Sequence, residues 1–509
     1  VQALRQVLAD MAKYHPVILH IDDVHWGDAE SAKLLHDIVD GQHIPRLLIL
    51  TTFRTEEERT SAYLQSLQSL PVRSDRRPDV RVVDIGPLSQ GDAHRLASEM
   101  FAVRGQTAPE LVCEIIRESQ RRPWSIVALS QDILRDRELR RPRTFASLGG
   151  VLQRRIDEVS PAARRVLDVV CAASHPISER TARCVAQLTS DADATYSELH
   201  NAQLIRHAIH AGIVCIAPYH DYVRQIHLRS LPSLMLRRLH FRIAQAMEHD
   251  QPLDHEGIAN HYQRAGIGQL AASHFWRAGE RATNALAMEL AADHFRNAIA
   301  LGRWTRSEEL ELRTMRAEAL GHAGVSAAAA SEYQRAAALA VDHVAERTLR
   351  RRAALQLCVG GRIADGKAEY ARVLKPMRMK LYRSRWLLAA RLFVMRQRIA
   401  ISGYHFQRRS VNQIPLVLRE QIDVTWEVAQ GLTMIDTLQG AYYQAKNLLL
   451  ALKGGDVYRI ARACAWQATH ISTGGVGTTA NAQWLLHTSK RLAHDVEDPY
   501  LRGLQRLSE

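Results

Sequence analysis

The stretch Val17–Trp26, reading VILHIDDVHW, decides the fold of the first part of the chain. A mostly apolar run leads straight into two adjacent aspartates, Asp22 and Asp23. Such a run reads as a buried parallel strand that stops at the carboxyl edge of a sheet. Open α/β sheets build their ligand crevices at that edge. A metal ion bridging phosphates needs hard oxygen ligands, which one or two carboxylates supply. In that reading Asp22 holds Mg²⁺ through water and Asp23 polarises an attacking water. Two aspartates alone also suit a solvated acidic turn, so the surroundings decide.

A helical interval over 28–39 separates this stretch from a second apolar run, Leu47–Thr51, which leads into Thr52, Phe53 and Arg54. A strand that ends in a polar residue and an arginine suits a sensor of the γ-phosphate, because guanidinium presents a planar fork of donors to phosphate oxygens. Together, IDDVHWGD and LLILTTFRTEE resemble the STAND branch of AAA-type P-loop ATPases. The resemblance implies ATP and Mg²⁺ as cofactors. It makes Asp22 the Walker B metal ligand, Asp23 catalytic and Arg54 the arginine ending the sensor strand.

A P-loop also needs G-x-x-x-x-G-K-[ST], whose backbone N–H groups and lysine cradle phosphate. No such run occurs. The nearest glycine-rich segment, STGGVGTT at Ser472–Thr479, lacks the lysine and follows a helical stretch, so it reads as an inter-helix loop. The chain opens on Val1 with a helical pattern (Leu4, Val7, Leu8, Met11) that runs into the Walker B strand. The expectation is therefore an N-terminally truncated core, with its Walker A loop upstream and no ATP hydrolysis by this portion alone.

The 509 residues suffice for three or more domains. No run of eighteen uncharged apolar residues suggests a membrane span. The six scattered cysteines include no C-x-x-C, which argues for reduced thiols in a cytoplasmic setting. The formal net charge is +13, arginine-heavy and spread along helices as pairs such as Arg121-Arg122, Arg140-Arg141, Arg154-Arg155, Arg164-Arg165 and Arg351-Arg352. Few aromatics interleave with these pairs, so no stacking platform for single strands is indicated and no direct nucleic-acid contact is expected. Solvated helix faces and acidic partner surfaces account for the pairs. No H-E-x-x-H occurs, and His255-Glu256 with His261 has the wrong spacing for two metal ligands one turn apart.

Residues 1–86 form the first region, the C-terminal part of an ATPase core. It ends in an irregular charged stretch at Pro71–Pro78 and a short strand expected at Val80–Ile85. The phrase IGPLS then introduces a helical lid over 87–146, with Ser89 as the N-cap of its first helix. Lid helices are expected at Gly91–Val103 and Pro109–Ser119. Residues Glu118–Trp124 align with the Gly-Asn-Pro-aromatic turn of the STAND family, with Arg121 and Arg122 replacing glycine and asparagine. Pro123 then stands where the family's proline contacts the nucleotide side of the lid, which makes it a candidate cofactor-binding residue.

Residues 147–231 read as three helices and a hairpin. Ser160-Pro161 is an N-cap followed by proline at the first helical position, and Ser178 caps a second helix. A third follows at Asp193–Ala202, and Leu204–Ile209 and Ile213–Ile216 flank His210-Ala211-Gly212 as two short strands. This order describes a winged helix, whose third helix enters the major groove in DNA-binding proteins. Here that helix, DADATYSELHNA, is acidic, and packing on the ATPase core is the better reading. His220, in PYHDYVR, suits either a nucleotide-sensing residue at the domain interface or a buried structural histidine.

From 232 to 509 the chain is helical and repetitive. Phe295, Tyr333 and Tyr370 occupy equivalent places in AADHFRNAIAL, AAASEYQRAAAL and ADGKAEYARVLK. Small residues such as Ala298 and Ala336 let paired helices approach, and the aromatic fills the gap between repeats. This is tetratricopeptide-like patterning, whose usual period is about 34 residues. It predicts an all-α solenoid with a binding surface for a protein or small-molecule ligand.

The whole chain resembles the STAND ATPase plus tetratricopeptide half of large bacterial signalling proteins. Phrases such as PYHDYVRQIHLRSL (Pro218–Leu231) and LLLALKGGDVYRIARACAWQATHISTGG (Leu448–Gly475) most resemble Ser/Thr protein kinases of the PknB type with a C-terminal ATPase. The resemblance implies a regulatory, signal-transducing portion of a kinase, open to nucleotide-driven oligomerisation. LuxR-type activators, class III adenylate cyclases and a non-hydrolysing scaffold stay open as alternatives. No kinase catalytic motif lies in these residues, so no kinase chemistry is expected from them.

Overall fold

The computed structural model describes residues 2–27, 29–39, 46–69, 79–103, 109–138, 147–173, 175–188, 192–210, 212–251, 253–433, 435–472, 479–493 and 498–507. The chain is mostly helical and divides into two compact units, Val1–His274 and Phe275–Glu509. Among the described residues no helix is long and apolar enough to cross a membrane. All six cysteines are free thiols.

The first unit opens with α1 (Gln2–Ala12), β1 (Val17–Ile21), α2 (Ala29–Val39), β2 (Leu47–Thr51) and α3 (Ala62–Ser69). Strands β1 and β2 are parallel neighbours, with Val17 opposite Leu47 and Ile21 opposite Thr51. Parallel strands need a crossover between them, and α2 supplies it. The alternation along each strand buries only one face: Val24, Ala32, Tyr63 and Leu64 form the small core of this region. On the other face Ile18, Leu48 and Leu50 stay largely exposed, so the strands are not buried on both sides. A further correction concerns Val80–Ile85. The segment forms no strand with any of the described residues, and each of Val80, Val82, Val83 and Ile85 is at least 76% exposed. β-branched residues favour extended backbone, yet a strand exists only where its N–H and C=O groups find a partner.

Next come α4 (Gln90–Ala102), α5 (Pro109–Glu118), α6 (Pro123–Glu138) and α7 (Leu148–Glu158). Ser89 caps α4 as expected, its Oγ accepting from the Asp92 N–H at 3.1 Å. Phe101, Ile115, Ile126, Leu129 and Val151 knit the four helices together. Then follow α8 (Pro161–Ala172), β3 (Ile177–Ser178), α9 (Glu179–Ala186), α10 (Ala192–Asn201), β4 (Ile205–His210), β5 (Ile213–Pro218) and α11 (Asp221–Ser230). Ser160 and Ser178 both cap the helices that follow them. The Glu198 carboxylate on α10 also accepts from both the N–H and the hydroxyl of Ser160, which ties α10 to the start of α8. The three strands form one antiparallel sheet in the order β3-β5-β4. The two-residue β3 is too short to carry a periodic sequence signal. Helix α11 is pinned to α8 by His227 Nε2, 2.6 Å from Asp168 Oδ1, both buried. The unit closes with α12 (Ser233–Asp250) and α13 (His255–Ala265), where His240 and His261 face each other, Nδ1 to Nδ1 at 2.9 Å.

The second unit begins within α14 (Gly268–Asn284) and proceeds through α15 (Met288–Leu301), α16 (Arg306–His322), α17 (Ser326–Leu339), α18 (His343–Val359) and α19 (Ile363–Leu374). Phe295, Tyr333 and Tyr370 lie buried on α15, α17 and α19, as the spacing predicts. Glycine makes room for the first: a Cβ on Gly279 would sit 2.5 Å from the Phe295 ring. After α20 (Arg385–Ser402) come α21 (Leu416–Thr433), α22 (Thr437–Gly454), α23 (Val457–Ser472), α24 (Thr479–Ala493) and α25 (Pro499–Leu507). Tyr370 packs on α21, where a Cβ on Gly431 would collide with its hydroxyl. The glycine-rich segment after Ser472 and the charged stretch at 71–78 lie outside the described residues.

Many arginines prove to be intramolecular clamps rather than solvated faces. Glu332, directly before Tyr333, is buried and accepts from Arg313, Arg316 and Arg335 at 2.8–3.0 Å. Glu369, directly before Tyr370, is buried likewise and accepts from Gln334 and Arg372. Arg351 and Arg352 pair with Glu427 and Glu318. A buried carboxylate survives only when charged donors replace its water, and the arginine excess provides them. Arg140 and Arg141 lie outside the described residues.

Candidate functional site

The carboxyl ends of β1 and β2 are stitched together by Thr52. Its N–H donates to the Ile21 carbonyl and its carbonyl accepts from Val24. Its hydroxyl accepts from the Asp23 N–H at 2.8 Å and donates to the Asp22 carboxylate. The turn forces Asp23 into the left-handed region, φ 51° and ψ 46°, where a short side chain that bonds locally is tolerated. Asp22 is exposed and Asp23 half-buried, with the Asp23 carboxylate 3.7 Å from His25 Nδ1. This pair of hard oxygen donors is accessible at the strand edge, which suits a hydrated divalent cation. Among the described residues no group of three or more His, Cys, Asp or Glu is arranged to hold a metal by itself.

Arg54, two residues beyond Thr52, does not point into open solvent. Its guanidinium donates to the carboxylate of Asp221, the first residue of α11. Burial lowers the pKa of Arg54, but the bond and charge of Asp221, with help from Asp23 and Glu56, more than reverse this. Burial likewise pushes the Asp221 carboxyl up, and Arg54 overrides it, holding the group below its ordinary value. A carboxylate at a helix N-terminus is further favoured by the helix dipole.

The residue before Asp221 completes the junction. The His220 side chain caps α11, its Nδ1 accepting from the Tyr222 N–H at 3.1 Å. Its ring stacks on Trp124, with centroids 4.1 Å apart and planes 6° from parallel. Burial lowers the pKa of His220; Asp221 opposes this, while Arg54 and Arg122 reinforce it. Burial thus favours the neutral imidazole, whose Nδ1 lone pair caps the helix. Trp124 is the second residue of α6 and Pro123 the first, where its missing N–H costs nothing. The turn before them takes left-handed backbone at Gln120 (φ 52°) and Arg121 (φ 59°) without any glycine. The Arg121 carbonyl accepts from Leu88, which fastens the turn to the entry of α4.

The structure therefore brings Asp23, Arg54, Asp221, His220 and Trp124 into one charged and aromatic junction, with Pro123 beside it. Asp22 is bound to the same strand edge through Thr52. The sequence reading singled out Asp22, Asp23, Arg54, Pro123 and His220. It did not foresee that Thr52 joins the two strand ends or that Asp221 and Trp124 meet Arg54 and His220, because the partner of Arg54 lies 167 residues away. The one available signal was that Asp221 follows a histidine at the start of a helix.

No known protein family model matches the chain. No curated protein matches it either. Among solved structures it is similar to a signal transduction ATPase with numerous domains (STAND) with a tetratricopeptide repeat sensor, from Pyrococcus horikoshii. The identity is 12% and the TM-score 0.38, over 99% of this chain and 78% of that one.

Proposed function

We propose that this chain is the nucleotide-responsive switch and sensor portion of a STAND-type signalling protein. The observation that carries the reading is the Arg54–Asp221 ion pair, which joins the end of a sensor-like strand to the N-terminus of α11. In the closed state Arg54 spends its guanidinium on Asp221. When a nucleoside triphosphate binds at the strand edge, Arg54 exchanges that carboxylate for a phosphate oxygen, an equally good partner for its planar fork. Asp22 would hold Mg²⁺ through water, and the ion would neutralise phosphate charge there. Asp23 would orient water. His220 and Trp124 would then lose their alignment with the strand edge, and α7–α11, which we read as a winged helix, would be released from the core. The helical repeats would receive the protein or small-molecule signal that biases this equilibrium. The kinase-linked setting rests on the sequence resemblance alone.

The test is nucleotide binding by the whole gene product, read with a fluorescent ATP analogue and Mg²⁺. Arg54→Ala should weaken ATP binding by about tenfold, the worth of one charge-assisted contact, and leave ADP binding nearly unchanged. Equal loss for ATP and ADP would defeat the sensor role, and no loss for either would defeat the switch.

A further inference from the structure

The surplus of positive charge is concentrated in one stretch. Tyr370–Arg419 contains twelve arginines and lysines and no aspartate or glutamate, which matches nearly all of the formal net charge of +13. Among the described residues only Arg372 of these twelve forms an ion pair, with Glu369. Helix α20 lies within this stretch. Its Leu388, Leu392, Met395 and Ile399 fall on one stripe, three and four apart, and pack inward against cores shared with α22. The opposite face is apolar too, and it is bare: Trp386 is 89% exposed, Phe393 62% and Ile401 84%. Together with Ala390 and Val394 they run along one side of the helix, since residues three, four and seven apart share a side. At 3.6 residues per turn, Arg385 and Arg396 flank that stripe on one side and Arg391 and Arg398 on the other. None of the four has an ion-pair partner among the described residues, although Arg391 lies over the Tyr382 ring. The positive field reaches the neighbouring helices. Burial and then Arg391 lower the pKa of Lys446 on α22, and burial and then Arg396 lower His470 on α23 to about 4.

A bare apolar stripe marks a contact surface, and the charge around it says what the contact is. A second copy of the chain would bring like-charged flanks together and be repelled. The outer side of a helix is convex, so its partner is either grooved to match or deformable. We infer that α20 docks this chain on an anionic phospholipid surface, with Trp386, Phe393 and Ile401 entering the headgroup region and the flanking arginines meeting lipid phosphates. A uniformly anionic plane serves both flanks at once, whereas an acidic helix laid alongside would serve one. Such a helix lies in the plane of the interface, with rings at headgroup depth and guanidinium groups reaching up to phosphate. The docking is therefore peripheral and reversible. It shares no residue with the Arg54–Asp221 junction and stands whether or not that junction answers to nucleotide.

The experiment is co-sedimentation of the full chain with phosphatidylcholine vesicles containing roughly 30% phosphatidylserine, beside pure phosphatidylcholine vesicles, at ~0.15 M salt. The chain should sediment with the anionic vesicles, remain in solution with the neutral ones, and be released as salt rises. Trp386→Ser combined with Phe393→Ser should weaken binding at least tenfold, because two exposed rings no longer leave water. Arg385→Gln combined with Arg396→Gln should weaken it about 25-fold, or about fivefold per charge. All four side chains are exposed, so circular dichroism should find both variants folded. Equal binding to neutral vesicles, binding to neither kind, or anionic binding that survives both double variants would overturn the assignment. Capture of the chain by polyglutamate without vesicle binding would overturn it in favour of an acidic protein. Self-association without vesicle binding, lost in the Trp386→Ser and Phe393→Ser variant, would overturn it in favour of a second copy.

Discussion

Asp221→Asn keeps the shape of the side chain and removes its charge, and so tests the latch without any nucleotide. The side chains of Arg54 and Asp221 are 44% and 33% exposed. At that exposure an ion pair is worth at most about 1 kcal/mol, well below a fully buried one. If the pair holds the start of α11 against β2, losing ~1 kcal/mol multiplies local opening by about fivefold. The amides that report it are Tyr222, which donates to His220, and Val223, which donates to the His220 carbonyl. In hydrogen exchange at pH 7 both should exchange about fivefold faster in Asp221→Asn, while amides in the middle of α8 stay unchanged. High salt should move the wild type toward the variant and leave the variant where it is. Arg54→Ala should match Asp221→Asn, and the double variant should add nothing, because both remove one interaction. Acid should act in the same direction. The folded Asp221 value lies below the ordinary 3.8, so its contribution is complete above pH 3.8 and lost as pH falls through the lower folded value. Unchanged exchange at Tyr222 and Val223, or additive effects in the double variant, would refute the latch.

Other substitutions test the packing that carries the site and the repeats. Gly431→Ala drives a methyl into the Tyr370 hydroxyl and should cost about 1–3 kcal/mol; adding Tyr370→Phe removes the closest atom and should recover part of it in thermal unfolding. No rescue would mean that α21 shifts instead. Glu332→Ala takes the shared carboxylate from three arginines, of which Arg313 keeps Glu309 and Arg335 is mostly exposed, and should ease local opening of α16 and α17 by about 2 kcal/mol in hydrogen exchange. A loss below about 1 kcal/mol would show that those arginines find other acids. Burial lowers His240 and His261 to about 4 and about 3, so both stay neutral when folded and gain protons on unfolding. Stability should therefore fall as pH drops from 6.5 toward 4, and replacing both by leucine should flatten that slope in urea titrations. An unchanged slope would assign the acid sensitivity elsewhere.

Much of the local architecture was legible in the residues. Val17–Ile21 and Leu47–Thr51 became parallel strands around a helix, and Ser89, Ser160 and Ser178 became N-caps. These features depend on side chains within a few positions of one another, and such short-range patterns survive into the fold. The reading failed where the outcome depended on a distant neighbour. Val80–Ile85 has strand composition but, among the described residues, no strand beside it. The arginine pairs looked like solvated faces because their acids are remote in sequence: Arg351 meets Glu427, and Arg347 meets Glu420 on both carboxylate oxygens.

The residues alone thus determined the first two strands and the helix between them, where several helices start, and that aromatics recur every 37 or 38 positions to fill gaps between helix pairs. Periodicity and capping are local and need no knowledge of the fold. Only the tertiary structure decided that Arg54 meets Asp221 and that His220 stacks on Trp124. Ion pairs and ring stacks between distant segments leave no period in a sequence. They exist because packing of the helices happens to deliver two side chains to the same few ångströms.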